Sequence, residues 1–454
     1  MSSPSPAAPG PAGPAVPAPA DGPAQPAGTP AILSVLLLAT TLTVMAGAIV
    51  MPVVEVIRGD LGISGTEAGL ILTAHGLSLA VASPLTGWLV DRMGVRTPLA
   101  AGLVLYGLAG GAGLLTDSYP SLLLTRIVFG IGAAFVFTGT TVAVLALYQG
   151  PERDRVMGWR ATAQSLGGVV WPLIGGALGG VSWHAPFAIY LLGVPLGLAT
   201  LAALPDTRGA GGPAKGGTVL QLLRRRPALI GFYLLQAVCS VLLYAIGVFL
   251  PQRLAELGVE EPFLVALYNV VMTVVMSLVG LVYAKLRAGL GYTLLLRLAA
   301  VAWVAAFLIL GVADQTLLLF LAPALFGLGL GMAFPALAVL IGEGAPPELR
   351  GQATSLSGTA TFLGQFASPL LLGPLIGATS VTTGFLASAG LSAVVLLLLL
   401  PFKAGGAAAA PGGAAADDAA PAAAARADAL PAGSAPAGSA SVGPAPAAGE
   451  RADA

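Results

Sequence analysis

From Ala31 to Phe402 the sequence is a succession of apolar runs, each about twenty residues long, divided by short clusters of glycine, proline and charge. That length, at about 1.5 Å per residue, lets a helix cross a hydrocarbon layer about 30 Å thick. Inside such a layer the backbone has no water to bond, so only helices and closed barrels can span it. Barrel strands alternate apolar and polar residues over about ten positions. Runs such as VLLLAT from Val35 and VVLLLLLPF from Val394 do not alternate, and helices follow. Composition agrees: 56% of residues are hydrophobic and 9% charged, against about 25% charged in an ordinary soluble domain. The expected fold class is an all-α integral membrane protein.

Twelve runs are read, near residues 31–54, 68–89, 98–116, 121–148, 158–180, 185–204, 228–250, 263–284, 291–312, 316–342, 353–376 and 382–402. Lysine and arginine collect in cytoplasmic loops. With the N-terminus inside, the inner loops gather Arg92, Arg96, Arg153, Arg155, Arg160, Arg208, Lys215, Arg224, Arg225, Arg226, Lys285, Arg287, Arg297 and Arg350, whereas the outer ones hold only Arg58 and Arg253. Both chain ends are therefore expected in the cytoplasm. Residues 1–30 lack the basic start and apolar core of a leader peptide. They and residues 403–454 are rich in alanine, proline and glycine, and are expected to be disordered. The compositional bias fits a GC-rich, bacterial source.

The longest inner loop, 205–227, divides the runs six and six, into bundles at 31–204 and 228–402. An internal repeat supports the division. LTRIVFGIG at Leu124–Gly132 aligns without a gap with LAPALFGLG at Leu321–Gly329, an offset of 197 residues. PERDRV at Pro151 and PELRGQ at Pro347 follow at nearly that offset, as do Pro172 and Pro369. Two repeats of this kind place a substrate site between them near the membrane midplane.

Three motifs carry chemistry. After the second run comes GWLVDRMGVRTPL, from Gly87 through Asp91, Arg92, Gly94 and Arg96. Glycine permits close helix approach, the carboxylate accepts from helix N-termini or arginines, and the cations reach headgroups or carboxylates. The second half offers GLVYAKLR from Gly280, with Ala284 where the acid would stand. The fourth run contains LLLTRIVFGIGAAF with Arg126, a cation costing at least about 2.5–3.5 kcal/mol inside a span. It either faces protein and function, or snorkels to the outer surface about 9 Å away. The fifth reads SLGGVVWPLIGGALGG, with Gly167, Pro172, Gly175 and Gly176 as a small-residue packing face bent by proline.

These motifs resemble those of the major facilitator superfamily, over about Ile32 to Phe402, and most nearly the twelve-helix drug:proton antiporter family. The resemblance implies twelve transmembrane helices as two six-helix pseudo-repeats and transport by alternating access. It implies a conformational lock at Asp91, Arg92 and Arg96, a functional arginine at Arg126 and an exporter motif in the fifth helix. Trp171 departs from the glycine that motif expects.

Other candidates are few. His75, with an ordinary pKa near 6.5, either carries a coupling proton or bonds a neighbouring helix. Glu55 is a partner for Arg126 or an exposed loop carboxylate. Thr138, Gln164, Gln236, Tyr244, Asn269, Phe334, Thr359 and Gln365 are candidates to face a cavity, or to hold helices together. A set so thin in hydrogen-bonding groups favours lipophilic, drug-like substrates over sugars or nucleosides, giving proton-coupled efflux as the expected function. Uptake of a small anion or metabolite, with Arg126 as counter-charge, is the alternative. A sensory or structural role stands beside both.

An enzyme is not expected, because two histidines and no HExxH, paired intramembrane acids or G-x-S-x-G leave hydrolysis without its groups. Cys239, the lone cysteine, makes no intrachain disulfide and reads as a small buried hydrophobe. No cofactor and no metal are expected. The expected partners are substrate, protons and membrane lipid, held by Arg224–Arg226 at about 1 kcal/mol per charge. No nucleic acid is expected, and the protein reads as a monomer.

Overall fold

The computed structural model describes residues 29–205, 222–224, 226–346 and 349–402. The N- and C-terminal tails and most of the 205–227 linker lie outside the described residues, as do Arg208, Lys215, Arg225 and Pro347. Ten stretches among the described residues are long and apolar enough to cross a membrane. The first six helices are α1 (Pro30–Leu61), α2 (Gly65–Met93), α3 (Arg96–Leu115), α4 (Tyr119–Leu147), α5 (Gly150–Gly179) and α6 (Ala185–Ala203). Then come α7 (Ala228–Glu256), α8 and α9, which share the 51-residue stretch Pro262–Val312, α10 (Thr316–Gly344), α11 (Arg350–Ala378) and α12 (Val381–Leu399). α8 and α9 meet at Gly291, whose φ of 70° breaks the helix. α5 is the helix not counted among the ten, diluted by its glycines and by the charged first turns before Arg160. The fold is all-α, with no strand among the described residues.

Several helices outrun their apolar runs because charged turns continue past the hydrocarbon. α5 begins at Gly150, so Arg153, Arg155 and Arg160 are helical rather than loop residues. α2 starts at Gly65 because Ser64 and Glu67 form a reciprocal capping box. Arg58 likewise sits in the last turn of α1, paired with Glu55.

Packing repeats between the halves. A Cβ on Gly130 would strike the backbone of His75, and one on Gly327 that of Met272; the Gly132–Tyr106 and Gly329–Trp303 approaches also recur, all at the 197-residue offset. Gly167 meets the Thr41 carbonyl and Gly364 that of Ala237. The chain thus folds as two six-helix pseudo-repeats in which missing side chains let neighbouring backbones touch.

The repeat extends to the turn after α2. Gly94 closes that helix at φ 76°, ψ 170°, and Gly291, 197 residues on, has φ 70°, ψ 167°. This corrects the register expected for the second-half motif: Ala284 matches Gly87 and Ala288 matches Asp91, so Gly280 is not the counterpart of Gly87. The acid is missing in either register. Side chains are strained at such angles by about 1–3 kcal/mol. Gly94→Val and Gly291→Val should each lower thermal stability in detergent by that order, and unchanged melting of both would show that the turn relaxes freely.

The halves meet along α2 against α11 and α5 against α8. At the face opposite the chain ends they are closed. Gly69 lies under Pro369 and Val248, Gly373 under Thr66, and Gly176 under Pro262 and Phe263. Toward the face that carries Thr29 and Phe402, positions Gly87, Gly158, Gly280 and Gly358 on these four helices would meet nothing within 4 Å.

Candidate functional site

Between the halves lies a cavity of about 890 Å³. Its walls run from Gly158, Ala161 and Gly280 on the open side up to Met51 and Pro172. Of the expected residues, Gln164, Tyr244, Asn269 and Phe334 line it. Ser165, Thr273 and Ser277 add hydroxyls, and Met51, Met272 and Met276 add thioethers. No ionised side chain lines it among the described residues. Sequence reading missed Thr273 and Ser277; their spacing of four from Asn269 along one face of α8 was the available signal.

The small-residue motif in α5 has two working faces. Gly167 and Gly175 receive the α1 backbone at Thr41 and Ile49, whereas Gly168 and Gly176 receive α8 of the other half; Gly179 lies at the meeting of the two, against Val53 of α1 and Pro262 of α8. Trp171 fits beside them because its indole donates to the Thr41 carbonyl at 3.1 Å.

Arg126 neither snorkels nor faces the cavity. It is 1% exposed. Its guanidinium carbon lies 4.8, 4.9 and 5.1 Å from the ring centres of Phe129, Phe187 and Tyr190, and Nη2 donates to the Gly110 carbonyl at 2.9 Å. No carboxylate pairs with it among the described residues; delocalised charge over π faces and carbonyl dipoles takes that place. Glu55 bonds Arg58 with both oxygens 2.9 Å from Nε, so the Glu55–Arg126 pair is not formed. Tyr190 and Tyr106 tie this cage to α1, donating to the Ala46 and Leu42 carbonyls at 2.9 and 2.7 Å.

His75 is buried at the seam between halves, edge-on to Phe129. The Gln365 amide donates to its Nε2 at 3.3 Å across the seam, and Gln365 also fills the space over Gly76. The two are thus brought together beside the Arg126 cage, apart from the cavity walls. Gln236 is spent within its own half on Thr361, at 3.1 Å. Thr359 donates to the Ser355 carbonyl, and Thr138 is half-buried on α4. In the α2–α3 turn Asp91 is exposed, Arg92 lies over the Trp88 ring, and Arg96 donates to the Leu201 carbonyl. Cys239 is buried and free.

The family model for the Major Facilitator Superfamily matches residues 36–369 and 295–431. The chain belongs to this superfamily. As a major facilitator protein it is a multi-pass membrane transporter of small molecules, not an enzyme. Among curated relatives, the quinolone resistance protein NorA of Staphylococcus aureus is 29% identical over 139 residues, 31% of this chain. Multidrug resistance protein 1 of Bacillus subtilis is 28% identical over 173 residues, 37% of this chain. The alignments span only 36% and 44% of those relatives. Among solved structures, the nucleoside transporter NupG has a TM-score of 0.71 at 16% identity, covering 82% of this chain and 99% of that one. A D-xylose-proton symporter has 0.67 at 16%, covering 82% and 97%. At such identity these two attest the fold alone.

Proposed function

We propose that this transporter exports lipophilic, drug-like compounds in exchange for protons. It works from the plasma membrane of a bacterium, with both chain ends in the cytoplasm and anionic lipid around its basic inner face. The observation that carries the reading is the cavity. It is large, walled mainly by aliphatic, thioether and aromatic groups, and free of ionised side chains among the described residues. Such walls bind by shape and apolar area. They give a sugar's many hydroxyls too few partners, and a small anion no counter-charge, since Arg126 is enclosed elsewhere. The relatives named for quinolone and multidrug resistance point the same way. A cavity built within one chain supports a monomeric unit.

With the chain ends inside, the present conformation faces inward. Asp91, Arg92, Gly94 and Arg96 beside Gly87 then serve as the lock that closes the inner face in the opposite state. Gly176, with Gly168, gives the surface on which the halves rock, whereas Gly167 and Gly175 hold α5 to α1 within the first half and Pro172 bends α5 at the cavity wall. His75, joined across the seam to Gln365 and next to the Arg126 cage, is placed to relate proton occupancy to separation of the halves.

Direction and coupling are tested in everted vesicles and proteoliposomes. Energised everted vesicles should accumulate a lipophilic dye while intact cells extrude it, and dye addition should drive proton movement in proteoliposomes. Accumulation by intact cells instead would establish uptake, and dye movement without proton flux would remove the coupling.

A further inference from the structure

A second hollow, of about 430 Å³, lies away from the seam, between α7 and α12 of the second half. It runs from Ala228 and Phe402 at the chain-end surface to Val238 and Val395. From Ala228 to Val238 a helix rises about 15 Å, half of a hydrocarbon layer about 30 Å thick and so the depth of one leaflet. The rings of Phe232 and Phe402 meet edge-on at 5.9 Å and tie the two walls together. The hollow is open to the outside: Leu234 and Leu398 on its walls are 63% and 70% exposed, and a Cβ on Gly231 would meet nothing within 4 Å.

The walls are wholly apolar, and neither α12 nor α7 before Glu256 contains an acid. Cations gather at the chain-end edge. Arg297 of α9 donates from Nε to the Leu399 carbonyl at 3.0 Å, and from Nη2 to the Leu400 and Phe402 carbonyls at 2.6 and 3.1 Å. Leu399 and Phe402 are themselves walls of the hollow. Those bonds alone would make Arg297 a cap for the end of α12. They also fix its guanidinium in place, while Nη1 makes no bond among the described residues and is not buried. Arg226 is exposed one turn before the hollow, its carbonyl accepting from the Leu229 N–H at 3.1 Å, and Arg224 is exposed just before it in sequence. No carboxylate pairs with any of the three among the described residues.

In a membrane the hollow gains little by choosing one tail over another, because the surrounding lipid is equally apolar. Preference has to come from the polar end. Guanidinium groups match phosphate oxygens in charge and geometry, and a phospholipid is the anion that brings an apolar chain of leaflet length with it. We propose that this hollow binds one anionic diacyl phospholipid, with an acyl chain between α7 and α12 and the phosphate of its headgroup held by Arg297 and Arg226. The site narrows the lipid contact proposed above to one place, and stands whichever way the carrier moves its substrate.

Native mass spectrometry of the full-length protein counts bound lipids and subunits together. The protein is released from detergent micelles doped with phosphatidylglycerol, or with phosphatidylcholine of the same acyl chains. One phosphatidylglycerol should be retained at about tenfold lower lipid concentration than phosphatidylcholine. Gly231→Phe places a ring in the hollow from a Cβ that meets open space, and should remove that lipid while leaving the melting temperature unchanged. Arg226→Gln with Arg297→Gln should bring phosphatidylglycerol down to the phosphatidylcholine level. Arg226→Gln alone, at an exposed position, should do so in part even where the double variant fails to fold. Excess glycerol 3-phosphate should not displace the lipid. Four results would each overturn the proposal. Equal retention of the two lipids would leave only an apolar face, and retention by Gly231→Phe at the parent level only a general basic surface. Displacement by glycerol 3-phosphate would reduce the site to an anion pocket. A dimer that Gly231→Phe disrupts, with no lipid bound, would give the hollow to a second copy of the chain.

Discussion

Gly176→Leu should slow transport by about tenfold to a hundredfold and shift the resting protein toward opening on the face away from its chain ends. A Cβ at Gly176 would lie 2.7 Å from the Pro262 carbonyl oxygen and 2.8 Å from the Phe263 Cα. These are backbone atoms that cannot rotate aside, so α5 and α8 would have to part. Overpacking of this kind costs about 1–3 kcal/mol. In a two-state carrier that is comparable to the whole difference between its conformations. Parting of α5 and α8 in the proposed opposite state would relieve the clash, so its cost acts as a bias on the equilibrium. Accessibility reads this directly. Thr273→Cys lines the cavity, and the fully buried Cys239 does not compete for label. An impermeant maleimide should reach Thr273→Cys from the chain-end side in the parent and from the opposite side once Gly176→Leu is added. Labelling from the chain-end side in both would mean that this contact does not set the balance.

The second large effect is expected at Arg126. Arg126→Met keeps much of the side-chain volume among Phe129, Phe187 and Tyr190 but removes the charge and the bond to Gly110. Export should fall to background while membrane insertion and thermal stability stay near those of the parent. Arg126→Ala should lose export too, and also lose about 2–5 kcal/mol of stability to the void it leaves. Arg126→Lys should not rescue. An ammonium is a strongly hydrated point charge, whereas the planar guanidinium here lies among three rings and reaches a carbonyl. Dye accumulation in cells producing equal amounts of each variant decides the matter, and full export by Arg126→Met would take Arg126 out of the transport cycle.

The spans and the pseudo-repeat were legible because a membrane writes its thickness into the chain. Runs such as the one around Val35 have no other use in water, and the glycines at 130, 132, 327 and 329 keep their spacing because backbone contact leaves no room for a side chain. Which polar side chains face the cavity was not legible. Gln164 and Gln236 are the same residue in similar apolar surroundings, yet one lines the chamber and the other bonds Thr361 inside its own half. A helix wrapped by apolar neighbours and lipid has little hydrophobic asymmetry from which to infer its facing. Helix ends were misjudged for a related reason, since Glu152 to Arg155 read as loop by polarity although they continue α5 beyond the apolar layer. The path of the Arg126 side chain was equally hidden, because three of its partners come from residues up to 64 positions away in sequence.

The junction of α8 and α9 has a mechanical meaning. One glycine, Gly291, joins them, so there is no slack between the helix bordering the chamber and its successor within the same half. A joint this short acts as a lever and not as a tether. Displacement of α8 must carry α9 along at once, and these two helices of the second half are thereby obliged to tilt together.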